Sequence, residues 1–176
     1  MKILVINCGS SSLKYKLYEM LDESVLADGH IERIGQSAGR LRQSASRGTI
    51  ERELSVPDHA AACALMLEAV SDGAKGAIAD GREVRAIGHR VVHGGPKYGA
   101  SAEVTDGVLA DIEAFAVYAP LHNPANAVGI RAARKVFPKI PAFVSMGRTS
   151  PPNYVTLARW IADEPRVLLA LVSFLS

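Results

Sequence analysis

The sequence predicts a mixed α/β domain. Three observations carry that expectation: β-branched residues and period-2 alternation crowd the first 56 positions, apolar residues at helical spacing follow from Pro57, and short apolar runs separate the later helices. The predicted order is several antiparallel strands, a helix, a strand, two helices and a strand, with no internal repeat.

Lys2 to Ile6 is a short apolar run of strand character. After a turn, Leu13, Tyr15 and Leu17 alternate with Lys14, Lys16 and Tyr18 as a second strand. Ser24 to Ile34 and Arg40 to Val56 read as further antiparallel strands broken by glycines, and the polar stretch Gln36 to Arg47 as an exposed loop or hairpin tip. Pro57 and Asp58 open an Ala-rich helix running to about Asp72, with Cys63, Met66, Leu67 and Val70 on one face. Val84 to Val92 is apolar on both sides, as in a doubly covered central strand. Thr105 is a plausible N-cap for a helix with the stripe Val108, Leu109, Ile112, Phe115 and Ala116. Asn123 before Pro124 repeats the cap signature, with Val128, Ala132 and Val136 expected inside. Pro138 ends that helix, and Pro141 to Ser145 forms one more buried strand.

With 176 residues, the chain suits one well-buried domain. A net charge of +2 is far from the clustered basicity of a dedicated nucleic-acid binder, so no nucleic-acid partner is expected. No apolar run reaches the roughly 18 residues needed to span a bilayer, so no membrane partner is expected either. Two cysteines without metal-ligand spacing, and a start that lacks signal-peptide character, point to a reducing, cytoplasmic setting.

Three stretches can carry chemistry. The first is the turn Asn7-Cys8-Gly9-Ser10-Ser11-Ser12 with Lys14 beyond it, where backbone N-H groups, hydroxyls and an ammonium suit a phosphate; the same residues also suit a plain hairpin turn. A single Gly followed by a strand excludes an ordinary P-loop. The second is Gly88-His89-Arg90-Val91-Val92-His93-Gly94-Gly95. Arg90 on an apolar strand suits bidentate recognition of a carboxylate or phosphate, or else an internal ion pair, while His89 and His93 read as structural. The third is Ala119-Pro120-Leu121-His122-Asn123-Pro124-Ala125-Asn126 at a helix N-terminus. There His122 either presents a donor to an anion or is merely exposed beside a capping Asn123.

Together, in this order and spacing, these motifs resemble the acetate kinase family over about residues 1–145. The resemblance implies a ribonuclease-H-like, actin-like ATPase fold, with a mixed sheet and flanking helices, truncated here. It also implies ATP and Mg²⁺ as cofactors, acetate as small-molecule substrate, and a homodimeric family. Asn7, Ser10, Ser12 and Lys14 would lie near the ATP phosphates, Asn7 also near the metal. Arg90 would bind the carboxylate or the phosphoryl group in flight, Val92 and Leu121 would line the methyl slot, and His122 would assist catalysis. Such a slot separates one methylene by only ~1–3 kcal/mol, so propionate is a rival substrate, with butyrate more distant. A non-catalytic fragment binding nucleotide phosphate is the rival of another class. Cys8 stands where the family commonly has Ala, a change expected to make the loop sensitive to oxidation.

The resemblance stops near Met146. The family continues F-D-T-A-F-H-Q-T-M-P, whose Asp is catalytic, whereas this chain reads Met146-Gly147-Arg148-Thr149-Ser150-Pro151-Pro152-Asn153-Tyr154. Codons for Met146 to Tyr154 can be chosen so that the frame one nucleotide later encodes W-D-A-L-H-H-Q-T-M, which points to a frameshift. Residues 146–176 are then a non-family tail without an evolved partner surface, and the run Leu168 to Leu175 an apolar liability. The alternative is a short C-terminal helix or strand covering the sheet.

Overall fold

A computed structural model of the chain describes residues 1–99, 101–146 and 154–164. One eight-stranded mixed sheet organises it, in the order β5-β4-β3-β2-β1-β6-β8-β7. The strands β1 (Lys2–Cys8), β2 (Ser12–Glu19), β3 (Ser24–Glu32), β4 (Gly39–Ala45) and β5 (Gly48–Leu54) form an antiparallel meander. On the other side of β1, β6 (Val84–Val91) and then β8 (Ala142–Met146) run parallel to it, and β7 (Ala102–Glu103) closes that edge antiparallel to β8.

The expected loop at Gln36 to Arg47 is mostly β4. Leu41 and Gln43 are buried at alternate positions, so a strand with one polar face was read as a polar loop. Leu41 joins the apolar core, while Gln43 earns its burial by hydrogen bonding: Tyr15 Oη donates to its Oε1 at 2.8 Å, and its Nε2 donates to the Ala69 carbonyl at 2.8 Å.

Helices α1 (His59–Val70) and α3 (Asn123–Val136) lie on one face, packed on each other and on the meander and β1, where Leu4, Ile6, Leu13, Leu17 and Ile31 are fully buried. Asp58 caps α1, its Oδ1 accepting from Ala61 N at 2.8 Å. Thr105 caps α2 (Asp106–Ala114) as expected, with Oγ1 accepting from Val108 N. Phe115 and Ala116 lie beyond α2 in a 3₁₀ turn. Val128 is a correction: it is 48% exposed, and α3 buries Ala127, Gly129, Ile130, Ala132 and Ala133 instead. Small residues face inward because the helix lies close to the strands; a Cβ on Gly129 would sit 2.2 Å from Cys8 Sγ.

Within the tail, residues 154–162 are helical. They form α4 (Tyr154–Ala162), which covers the opposite face, burying Leu157, Ala158 and Ile161 against Ile3, Val5, Ala86 and Phe143. Leu168 to Leu175 lies outside the described residues.

His89, on β6, points into the α3 side. Its Nε2 accepts from Cys8 N at 3.3 Å and its Nδ1 lies 2.6 Å from the Arg90 carbonyl, a pairing that fits the neutral Nδ1-H tautomer. Burial pushes the imidazole down to about 4, with the Arg90 carbonyl bond opposing and the His59 and Arg90 charges adding to the fall.

Two stability predictions follow from these buried polar groups. Replacing Tyr15 with Phe strands Gln43 Oε1 and lowers stability by about 1–3 kcal/mol, measured by urea unfolding. For His89 the folded form binds its proton less readily than the unfolded chain, whose ordinary value is 6.5. Its contribution is therefore complete above that pH and is lost as pH falls towards about 4, a loss of roughly 3 kcal/mol at most. In urea titrations from pH 7 to 4, His89→Gln flattens this part of the pH dependence.

Candidate functional site

The site is built where β1, β2, β6 and β8 present one row of side chains on the α4 side of the sheet. Strand alternation sends Leu4, Ile6 and Cys8 to the α3 side and Ile3, Val5 and Asn7 to the other. Asn7 pairs with Lys14 across β1 and β2, and Arg90 pairs with Ser145 across β6 and β8. Ile6 pairs with His89, which sets Asn7 and Arg90 one residue further along adjacent parallel strands. Lys14, Asn7, Arg90 and Ser145 thus form a continuous row over four strands.

Arg90 is half-buried, and its Nε is shielded from solvent with no hydrogen-bond partner. The ion-pair alternative finds no support among the described residues. A desolvated guanidinium nitrogen left open is suited to an anionic oxygen.

The turn is tighter than expected. β1 runs to Cys8, Gly9 N donates to the Ser12 carbonyl at 2.8 Å, and Ser10 and Ser11 stand exposed at the tip, with Ser12 half-buried as the first residue of β2. His59 at the start of α1 holds this turn from behind, its Nε2 2.7 Å from the Gly9 carbonyl.

Val92 lies one residue past β6 and is half-buried; Leu121 is 78% exposed on the turn before α3. That turn is tied to the end of β6 through Asn123, whose Oδ1 accepts from His93 N and whose Nδ2 donates to the His93 and Ile112 carbonyls. Tyr118 stacks on His93 with ring centroids 5.0 Å apart. His122 is exposed and occupies the N-cap position itself, without a side-chain cap bond. Asn123 is therefore no cap, because its amide is spent on His93, two residues past β6, and on Ile112 of α2. The motif brings Val92 and Leu121 to one end of the sheet without closing a slot between them. An open groove of about 460 Å³ between α2 and α3, lined by Leu109, Arg131 and Lys135 among others, contains none of the motif residues.

Three residues escaped sequence reasoning as site builders. Asn126, three positions after Asn123 on the same helical face, donates to the Cys8 carbonyl at 2.7 Å and accepts from Val92 N at 3.2 Å. Its i, i+3 spacing from Asn123 was the available signal. Ser145 and His59 carried none beyond their places in a strand and after a cap.

Cys8 does not meet the expectation of an oxidisable loop. It is buried at the end of β1, and burial pushes its thiol well up, with Cys63 adding to the rise; a thiol held protonated and away from solvent is inert.

Among the described residues, no group of three His, Cys, Asp or Glu side chains could hold a metal, and no helix is long and apolar enough to cross a membrane.

Comparison with known proteins bears on the family and the fold. The family model described as the acetokinase family matches residues 2–150. Acetate kinase 2 of Clostridium perfringens (strain 13 / Type A) is 50% identical over 146 residues, covering 82% of this chain and 36% of that protein. An acetate kinase of Clostridium botulinum (strain Langeland) is 48% identical over 141 residues, covering 80% of this chain and 36% of its own length. Among solved structures, Porphyromonas gingivalis acetate kinase superposes with a TM-score of 0.79 at 41% identity, covering 82% of this chain and 37% of that one. A propionate kinase from Francisella tularensis superposes with a TM-score of 0.75 at 31% identity, covering 82% and 36%. This chain thus spans little more than a third of the length of these relatives. Its fold is that of their actin-like ATPase domain, a mixed sheet with flanking helices, truncated relative to the whole. On a match of this extent, the chain belongs to the acetokinase family.

Proposed function

We propose that this chain is the N-terminal portion of an acetate kinase, the enzyme type that moves a phosphoryl group reversibly between ATP and acetate. The observation that carries the reading is the row Lys14, Asn7, Arg90, Ser145 with an open guanidinium nitrogen at its centre. Phosphoryl transfer is chiefly positioning and charge neutralisation, and this row supplies cations and neutral donors on one surface. Ser10, Ser12 and Lys14 would meet the nucleotide phosphates, and Asn7 would offer one oxygen to Mg²⁺. When bound, that ion would supply charge neutralisation. Arg90 orients the carboxylate, Val92 and Leu121 flank its methyl group, and His122 stands beside them as a donor.

Propionate remains the second reading within the family, favoured by the likeness to the Francisella tularensis propionate kinase and by the open geometry around Leu121. Residues 1–145 act as the family domain and residues 146–176 as the tail, in which the family's Asp has no counterpart in the sequence. A shifted reading frame explains that departure, and sequencing the gene past the Ser145 codon decides it. A cytoplasmic enzyme pairing as a homodimer is the corresponding whole-protein picture.

The purified chain is expected to give no hydroxamate signal above background with ATP, Mg²⁺ and acetate. A robust signal that disappears in Arg90→Ala refutes the claim that the chain is inactive. Binding is a separate matter: millimolar Mg·ATP is expected to raise the thermal midpoint, about 1.4 kcal/mol at tenfold over Kd, and Arg90→Ala to abolish the rise. A flat thermal response counts against phosphate binding by this row.

A further inference from the structure

The turn between β1 and β2 has its carbonyls tied from behind and its amides left open. The Cys8 carbonyl accepts from Asn126 Nδ2 at 2.7 Å, and the Gly9 carbonyl lies 2.7 Å from His59 Nε2. The Ser11 carbonyl accepts from Ile34 N at 2.9 Å and the Ser12 carbonyl from Gly9 N at 2.8 Å. Among the described residues, the N-H groups of Ser10 and Ser11 find no acceptor, and both residues are exposed.

One of these ties decides where an amide points. A carbonyl can only accept, so His59 Nε2 carries the proton and donates it. A planar trans peptide sets its C=O and N-H on opposite sides, so holding the Gly9 carbonyl towards His59 turns the Ser10 N-H away, to the outside of the turn. Without that tie the peptide can rotate, since Gly9 has no side chain to resist it. His59 is itself firmly placed: it is the first residue of α1, 8% exposed, directly after Asp58, whose Oδ1 caps the helix at Ala61 N.

We infer that His59 is a positioning residue for this turn: it keeps the Gly9-Ser10 peptide from flipping and so presents the Ser10 N-H, with the Ser10 and Ser11 hydroxyls beside it, to a phosphate oxygen. This rests on the functional reading above. An amide already aimed outward needs no reorientation when an anion arrives, whereas a flipped peptide presents a carbonyl oxygen that repels it. His59 touches no ligand and acts through the backbone alone.

Amide NMR on the full 176-residue chain tests this without any ligand. In His59→Leu the Gly9, Ser10 and Ser11 signals are expected to shift or broaden as the peptide samples both orientations. His59→Gln, whose side-chain amide can donate in place of the ring, is expected to keep the parent pattern. Unmoved turn signals in His59→Leu overturn the inference. So do changes spread evenly over β2 to β5, because they report general loosening of the domain. With Mg·ATP as the probe, His59→Leu is expected to weaken binding by about 10-fold and His59→Gln by no more than about 3-fold. Equal affinity in the parent chain and His59→Leu overturns the positioning role. If the parent chain itself does not bind while the turn signals move in His59→Leu, the phosphate reading is refuted and the restraint of the Gly9-Ser10 peptide by His59 stands.

Discussion

The site depends on one side chain that touches no candidate ligand. Asn126, in the first turns of α3, donates to the Cys8 carbonyl at the end of β1 and accepts from Val92 N just beyond β6. These two strands are parallel neighbours, and their carboxyl ends are where the Gly9–Ser11 turn and the Gly94-Gly95 loop depart. Open α/β sheets bind ligands at such ends because the loops there diverge while the strands hold them rigidly. A buried amide with all its partners fixed prevents the two ends from sliding apart, since breaking it would leave buried polar groups unpaired. Gly129 one turn later lets α3 approach closely enough for that bond to form.

From that clamp follows the division of the sheet into two chemistries. On the α1 and α3 side the strands contribute Leu4, Ile6, Leu13 and Leu17, and His89 is admitted only as a neutral ring with both nitrogens used. On the other side the same strands, read one residue out of phase, contribute Asn7, Lys14, Lys16 and Arg90. Period-2 alternation alone makes this possible: a strand can serve a core and a binding surface without compromise to either.

That alternation is also what made much of the molecule legible in sequence. Lys14 and Lys16 between Leu13, Tyr15 and Leu17 declare a two-faced strand, and the caps at Asp58 and Thr105 announce their helices. The failures share a cause. Gln43 was read as solvent-facing because its partners, Tyr15 and the Ala69 carbonyl, lie 28 and 26 positions away along the chain. Asn123 was read as a cap because the local signature is the same whether its amide serves its own helix or a distant strand. Val128 was placed inside because Val is apolar, although α3 turns the face of Ala127, Ile130 and Ala133 inward, with Gly129 at the closest approach to β1, and leaves Val128 outward. Composition reports what a side chain prefers, and long-range pairing decides what it obtains.

A row of this kind binds weakly by itself, for a reason that lies in dielectric rather than in the residues chosen. Lys14 and the Ser10-Ser11 tip are exposed, and a unit charge pair at 4 Å gains only about 1 kcal/mol in bulk water against several when solvent is excluded. Arg90 is the exception, because its Nε is already desolvated and has nothing to lose by meeting an anion. The remaining contacts gain strength only when a second wall shuts out water, as phosphoryl-transfer sites require. α4 packs further back along the same strands, on Ile3, Val5, Ala86 and Phe143, and Lys14 at the end of the row is exposed. Lys14 therefore keeps its water, and the strongest contact the row can offer an anion is the one at Arg90.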